Sequence, residues 1–133
     1  MIRKLSREEY GLVLELARVL KKGLTASDFG HNDEILVYEE NGLILGFICY
    51  SRMYETVDIL YIVVDPGYRR KGIATKLIDE LIKIEGIEHL MLEVSEENTG
   101  AIDFYKHLGF KPIREIKNYY GNTNALAMER VIK

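Results

Sequence analysis

The chain carries the stretch Val64-Asp65-Pro66-Gly67-Tyr68-Arg69-Arg70-Lys71-Gly72-Ile73-Ala74-Thr75 directly after an apolar run at 59–64. This order predicts a strand, a turn, a basic loop and then a helix that begins near Gly72. The first N–H groups of a helix have no partner inside the helix, and the helix dipole favours negative charge there. Small side chains at Gly72 and Ala74 let a ligand approach the backbone. We therefore expect residues 69–75 to bind a phosphate-containing ligand.

Two common phosphate-binding patterns are absent from this stretch. Gly72 is not followed by the Gly-Lys-Ser/Thr of a P-loop, and no G-x-G-x-x-G dinucleotide fingerprint follows the strand. Taken by itself, the segment is also compatible with an ordinary strand-to-helix turn that has solvated basic residues.

Composition narrows the class of protein. With 133 residues, 47% of them hydrophobic and 29% charged, the chain suits one soluble domain over 1–133. No apolar run approaches the roughly 20 residues of a membrane span, and the N-terminus lacks the pattern of a signal peptide. The net charge of −3 argues against general nucleic-acid binding. A single cysteine, Cys49, excludes an internal disulfide, so we expect a cytoplasmic protein.

Hydrophobic periodicity predicts an α/β (α+β) fold with a mixed, mostly antiparallel sheet of about seven strands. The predicted strands cover residues 1–4, 35–39, 43–52, 57–64, 89–94, 111–117 and 124–132. About four helices flank them: one starting at the capping box 6–9, a short turn at 25–28, and helices at 72–84 and 98–107. A strand meander that leads into a β-α-β crossover places a parallel pair at the centre of the sheet.

Glu93 and Tyr105 are candidate proton-transfer residues. Glu93 lies in the strand Leu90-Met91-Leu92-Glu93-Val94, on the face opposite its apolar neighbours. A carboxylate at this place either reaches solvent or lies in a partly desolvated cleft, where its pKa rises towards that of a general base. Tyr105 lies on the following helix, and its hydroxyl can return a proton to a leaving thiolate. Each also has an ordinary interpretation, as a salt-bridged strand residue and as a core or rim aromatic.

Two motifs together resemble the GNAT acyltransferases. Arg69-x-x-Gly72-x-Ala74 matches their R/Q-x-x-G-x-G/A signature. The series Leu92-Glu93-Val94, Asn98, Ala101-Ile102, Tyr105 and Gly109-Phe110 resembles L-x-V-x-x-x-N-x-x-A-I-x-x-Y-x-x-x-G-F. The resemblance covers about residues 57 to 110 and implies the GNAT fold with acetyl-CoA as cofactor.

This resemblance also implies a set of acetyl-CoA-binding residues. The loop Arg69, Arg70, Lys71, Gly72, Ile73, Ala74 and Thr75 would bind the pyrophosphate. The backbone of Ile62, Val63 and Val64 would pair with the pantetheine amides, and an N–H near Val64 would polarise the thioester carbonyl. Asn98 would contact the pantetheine arm, and Tyr105 would lie near the CoA sulfur.

A finer resemblance concerns the acceptor. Leu92-Glu93-Val94 and Asn118-Tyr119-Tyr120 are similar to motifs of the RimI-type ribosomal-protein N-terminal alanine acetyltransferases. In that family the Glu accepts a proton and the helix Tyr donates one, which implies these roles for Glu93 and Tyr105. Tyr119 and Tyr120 would lie on the peptide-binding side; from the residues alone, they either line a groove or cover a sheet edge.

Three departures from the RimI pattern fall where the acceptor would bind. Leu24-Thr25-Ala26-Ser27-Asp28-Phe29 replaces the usual Pro-Trp-Ser stretch, the loop after Tyr120 is short, and Asn124 replaces an Asp. A small amine (a polyamine, amino acid or antibiotic) is therefore an alternative acceptor to a protein N-terminus. A catalytically silent acyl-CoA-binding module is a further alternative. The scattered histidines predict no metal site, and we expect a monomer or homodimer without membrane or nucleic-acid partners.

Overall fold

The computed structural model describes residues 1–18, 29–30, 32–119 and 121–132. Its strands, in chain order, are β1 (Ile2–Lys4), β2 (Asp33–Glu40), β3 (Leu43–Met53), β4 (Thr56–Val64), β5 (His89–Ser95), β6 (Lys111–Ile116) and β7 (Ala125–Val131). The α-helices within these ranges are α1 (Leu14–Ala17), α2 (Ile73–Ile82) and α3 (Thr99–His107). In the described parts of the chain, no helix combines the length and apolar character that crossing a membrane requires.

The seven strands form one mixed sheet in the order β1-β2-β3-β4-β5-β7-β6. β4 and β5 are parallel, with Thr56, Val57 and Asp58 opposite His89, Leu90 and Met91. The pairs β1–β2, β2–β3, β5–β7 and β6–β7 are antiparallel. The predicted sheet and its central parallel pair are thus confirmed, with strand ends within about two residues of expectation.

The first helical segment differs from expectation. Residues Arg7–Val13 form a 3₁₀ helix, and only Leu14–Ala17 is α-helical. The predicted capping box is present: the Glu9 carboxylate accepts hydrogen bonds from the Ser6 N–H and hydroxyl, both at 3.1 Å. The predicted helical turn at 25–28 lies outside the described residues.

The residues group into two compact units. The first contains Met1–Arg52 and Ile59–Ile84, and the second contains Met53–Asp58 and Glu85–Lys133. The core of the first unit includes Val13, Ile35, Phe47 and Cys49, none of which is exposed to solvent. Burial raises the pKa of the Cys49 thiol to about 12, so this cysteine packs as a small apolar side chain rather than acting as a nucleophile.

Gly46 permits a close backbone approach inside the first unit. The β2–β3 register shifts beside it, from Tyr38 opposite Gly46 to Glu39 opposite Ile44. A methyl group at Gly46 would lie 2.9 Å from Ile73 Cγ2 and 3.1 Å from the Val63 carbonyl oxygen. The absence of a side chain at Gly46 therefore lets β3 pack closely against the end of β4 and the first residue of α2.

In the second unit, β5 and β7 contribute most of the buried side chains. Leu90, Leu92 and Val94 on β5 are buried, as are Ala127 and Met128 on β7. In contrast, β6 and α3 contain no fully buried residue. Polar positions on α3 and at the end of β5 are therefore available for chemistry rather than for packing.

Candidate functional site

A tight turn connects β4 to the basic loop in the first unit. The Asp65 N–H donates to the Leu45 carbonyl at 2.8 Å, which ties the end of β4 to β3. The Asp65 carboxylate accepts the Gly67 N–H at 2.9 Å, and the Tyr68 N–H donates to the Asp65 carbonyl at 2.8 Å. Asp65 and Pro66 thus start a short 3₁₀ turn, Pro66–Tyr68, which directs the chain into residues 69–72.

The start of α2 is shaped as an anion-binding terminus. Gly72 is the N-cap residue with φ +78°, and no side chain caps the helix. A methyl group at Gly72 would meet nothing within 4 Å, so the glycine is needed for its left-handed conformation rather than for space within the chain itself. The first N–H groups of this ten-residue helix are therefore not occupied by a capping side chain.

Positive charge is concentrated at this helix terminus. Arg69, Arg70 and Lys71 are all exposed, and Arg70 has φ +64°. The Ile73 side chain is 4% exposed and lies close to Gly46. Helix N–H groups with exposed cations beside them fit a pyrophosphate group.

The end of β4 offers backbone rather than side-chain chemistry. Val63 is 4% exposed, while Ile62 and Val64 are half-buried. Apolar side chains leave the peptide groups as the polar atoms at this strand end. This arrangement is compatible with the predicted pairing to pantetheine amides, which remains a prediction.

In the second unit, Glu93 projects from an apolar strand into solvent. Its neighbours Leu92 and Val94 are buried, whereas Glu93 is exposed and lies opposite Ala127 of β7. The sequence allowed the Glu93 carboxylate either to reach solvent or to lie in a partly desolvated cleft. The structure shows that it reaches solvent. None of the salt bridges found among the described residues involves Glu93, so its carboxylate is available to a ligand.

Tyr105 occupies the last turn of α3. Its ring contacts the rings of Phe104 and Phe110, with centroids 5.4 and 5.8 Å away. Burial raises the pKa of the Tyr105 phenol to about 12. A tyrosine hydroxyl already keeps its proton at neutral pH, and the raised pKa extends this range to more alkaline pH. The protonated form is the one that a proton donor needs.

Asn98 is the N-cap residue of α3. Its side-chain oxygen accepts the Ala101 N–H at 3.2 Å, while its own N–H donates to the Ser95 carbonyl at 2.9 Å. The cap uses the amide oxygen, and the side-chain NH₂ is the group that can donate to a ligand. The structural role of Asn98 and the predicted ligand contact therefore use different atoms.

The turn that follows β6 is closed by Asn124. The Asn118 N–H donates to the Asn124 side-chain oxygen at 2.8 Å, and Asn118 itself has φ +54°. The RimI pattern has an Asp here, which would offer the same acceptor oxygen. This contact can therefore form with either residue at position 124. Tyr119 is 52% exposed in this turn, and Tyr120 lies outside the described residues.

The carboxyl groups of Glu96 and Glu115 lie next to each other in the second unit. Hydrogen bonding to the neighbouring Glu115 carboxyl raises the pKa of Glu96, because two adjacent carboxylates would repel each other if both were ionised. The Glu96 N–H also donates to the Asn124 carbonyl at 3.0 Å, which joins the end of β5 to the start of β7.

Two positioning residues were not identified from the sequence. Gly46 allows the backbone of β3 to lie close to Ile73 at the start of α2. A glycine inside a strand pattern can indicate such a close backbone contact, so this position could have been identified from the sequence. Arg130 donates to the Leu108 carbonyl at 2.9 Å and so satisfies the end of α3. No local pattern indicates this contact, because the two residues are 22 positions apart.

Comparison with known proteins agrees with these features. Residues 1–110 match the acetyltransferase (GNAT) family. A [ribosomal protein bS18]-alanine N-acetyltransferase from Haemophilus ducreyi is 29% identical over 128 residues, which is 90% of this chain and 88% of that protein.

Solved structures show the same fold. The ribosomal-protein-S18-alanine N-acetyltransferase from Escherichia coli superposes with a TM-score of 0.88 at 24% identity, covering 100% of this chain and 94% of that one. Ard1 from Thermoplasma volcanium superposes with a TM-score of 0.86 at 29% identity, covering 100% and 97%.

Proposed function

The chain belongs to the acetyltransferase (GNAT) family and is an acetyl-CoA-dependent N-acetyltransferase, and we propose that its acceptor is the N-terminal α-amino group of a protein. The observation that carries this proposal is the similarity, along 90% of the chain, to a protein that acetylates the alanine of ribosomal protein bS18. The Leu92-Glu93-Val94 strand and the helical Tyr105 lie within the matched region. A ribosomal protein is accordingly the first acceptor to test.

The residues present fit acetyl-CoA. When bound, it supplies the acetyl group as a thioester whose sulfur leaves as a thiolate. The uncapped start of α2 and the cations Arg69, Arg70 and Lys71 would hold its phosphates. The backbone of 62–64 and the side-chain NH₂ of Asn98 would bind the pantetheine amides.

Glu93 is proposed as the proton acceptor. An α-amino group has a pKa of about 8 and is mostly protonated at neutral pH, so it must lose a proton before it can act as a nucleophile. The exposed Glu93 carboxylate at the end of β5 can take that proton directly or through a water molecule. An exposed carboxylate can then pass the proton to bulk solvent.

Tyr105 is proposed as the proton donor to the leaving thiolate. Its phenol is protonated at neutral pH, as it would be at the ordinary tyrosine pKa of about 10, and burial raises this pKa further, to about 12. Transfer of this proton leaves a tyrosinate, which recovers a proton from water before the next turnover.

The test uses labelled acetyl-CoA with two sets of acceptors. One set contains peptides that begin with the N-terminal alanine of bS18 or with other residues, and the other contains spermidine, free amino acids and an aminoglycoside. We expect label on the α-amino group of the alanine peptide and little on the small amines. Transfer only to a small amine would contradict the protein-acceptor proposal, and tight CoA binding without turnover on any amine would support the silent-module alternative.

A further inference from the structure

An open groove of about 630 Å³ lies on the first unit, apart from the residues assigned above to catalysis. Its lining includes Leu16 and Ile44, which are half-buried and pack against the core. Leu12 and Leu43 also line the groove and are 57% and 59% exposed. Two strongly exposed leucines in one groove provide apolar surface that a partner can cover.

The charged residues of the groove are mainly acidic. Glu15, Glu39 and Asp65 line it, and Arg3 is the one basic lining residue in the described chain. Arg3 is already paired, with Glu9 at 3.1 Å and with Glu39 at 3.0 Å. Glu15 and Asp65 therefore leave a net negative charge beside the exposed leucines.

We propose that this groove binds a cationic segment of the acceptor protein, containing a large apolar side chain, beyond the N-terminal residues that are acetylated. The apolar side chain would pack against Leu12 and Leu43, and a Lys or Arg would pair with Glu15 or Asp65. Proteins that bind RNA carry many basic residues because they neutralise phosphates, so a ribosomal protein has the charge that the groove requires. This inference rests on the proposed function, which it extends from the acetylated terminus to the body of the acceptor.

The shape of the groove supports a protein segment over a small ligand. Small-molecule sites enclose most of their ligand's surface, whereas this groove is open along the surface. Opposite charges on the groove and on its partner would increase the association rate and the selectivity for that partner.

The experiment compares kcat/KM for full-length bS18 and for a short peptide of its N-terminus. The variants are Leu43→Ser, which removes exposed apolar surface, and Glu15→Lys, which reverses a groove charge. We expect each variant to lower kcat/KM for full-length bS18 about tenfold and to leave the peptide within about twofold of wild type. The salt dependence of the full-length reaction should weaken in Glu15→Lys.

Matched controls separate the groove from general surface effects. Glu8→Lys makes the same charge change at an exposed position of the 3₁₀ helix that does not line the groove. Met53→Ser removes a side chain that is 70% exposed and also lies outside the groove lining. Both controls should keep the wild-type preference for the full-length acceptor.

The possible outcomes distinguish this inference from the proposed function. If wild type acetylates both acceptors but the groove variants alter neither, or alter both equally, the groove proposal is wrong and the proposed function stands. If wild type acetylates neither acceptor, the proposed function fails and the groove proposal fails with it. Urea unfolding of each variant confirms that a lost preference does not come from a lost fold.

Discussion

The ring of Tyr105 stands edge-on to the ring of Phe110, with centroids 5.8 Å apart and 65° between the ring planes. The backbone joins the same two residues, because the Phe110 N–H donates to the Tyr105 carbonyl at 2.9 Å. Gly109, with φ +92°, makes this helix ending possible, and the Gly109 N–H donates to the Lys106 carbonyl at 3.0 Å. The proposed proton donor is therefore held by both its ring and its main chain, which limits its movement.

Tyr105 should make folding stability depend on alkaline pH. The unfolded tyrosine has a pKa of about 10, whereas burial raises the folded value to about 12. Between these values the unfolded chain loses a proton that the folded chain retains, so stability falls as pH rises from about 10 towards 12. The variant Tyr105→Phe lacks this titrating group. When the pH rises from about 9 to about 11, the free energy of unfolding should therefore fall by about 1 kcal/mol less in the variant than in wild type. Urea unfolding at both pH values measures this difference, and equal losses would show that Tyr105 titrates normally.

Glu93→Gln should lower kcat about a hundredfold while CoA binding is retained, because the amide cannot accept the amine proton. Because Glu93 is exposed, the substitution should change the free energy of unfolding of the protein by no more than about 0.5 kcal/mol. Glu88→Gln is a matched control, since Glu88 is also exposed and immediately precedes β5 at the opposite end of the strand. Wild-type turnover in Glu93→Gln would remove the proposed base.

Asn98 variants can separate helix capping from ligand binding. Asn98→Ala should lose about 1 kcal/mol of stability because α3 loses its cap. Asn98→Asp retains the acceptor oxygen and adds a favourable charge at the helix start, so it should be at least as stable as wild type. If the side-chain NH₂ binds pantetheine, both variants should bind CoA about tenfold more weakly by calorimetry. Unchanged CoA affinity in Asn98→Asp would assign Asn98 a structural role alone.

Gly72→Ala should weaken CoA binding and also strain the backbone. The left-handed conformation at φ +78° costs alanine about 1–2 kcal/mol. Gly11→Ala is the matched control, because a methyl there also meets nothing within 4 Å but its φ is not positive. Thermal unfolding with and without CoA compares the two variants. Equal stabilisation by CoA in Gly72→Ala and wild type would contradict the assignment of this loop.

Gly46→Ala should destabilise the first unit through overpacking. The added methyl would lie 2.9 Å from Ile73 Cγ2 and 3.1 Å from a backbone oxygen, and the backbone oxygen cannot move easily. We expect a loss of about 1–3 kcal/mol in the free energy of unfolding. A loss below about 0.5 kcal/mol would show that β3 can shift away from Ile73 at little cost.

Most helices and strands could be predicted because their signals are local. The alternation around Glu93 predicted β5, and the capping box at 6–9 predicted where the first helical segment begins. The 3₁₀ geometry of Arg7–Val13 was not predicted, since the same capping box can begin either kind of helix. The contact from Arg130 to the end of α3 was also missed, because it depends on how β7 and α3 pack.

The resemblance to the RimI-type acetyltransferases identified Glu93 and Tyr105 as the proposed base and acid. The sequence by itself determined the order of elements and the basic loop before α2. These are properties of neighbouring residues: side-chain spacing, turn residues and caps act over a few positions along the chain. Only the tertiary structure decided that Glu93 reaches solvent, that the Tyr105 phenol is buried enough to raise its pKa, and that Leu12 and Leu43 line one acidic groove. Exposure and electrostatic environment depend on which distant segments pack beside a residue, and no local pattern of the chain specifies that packing.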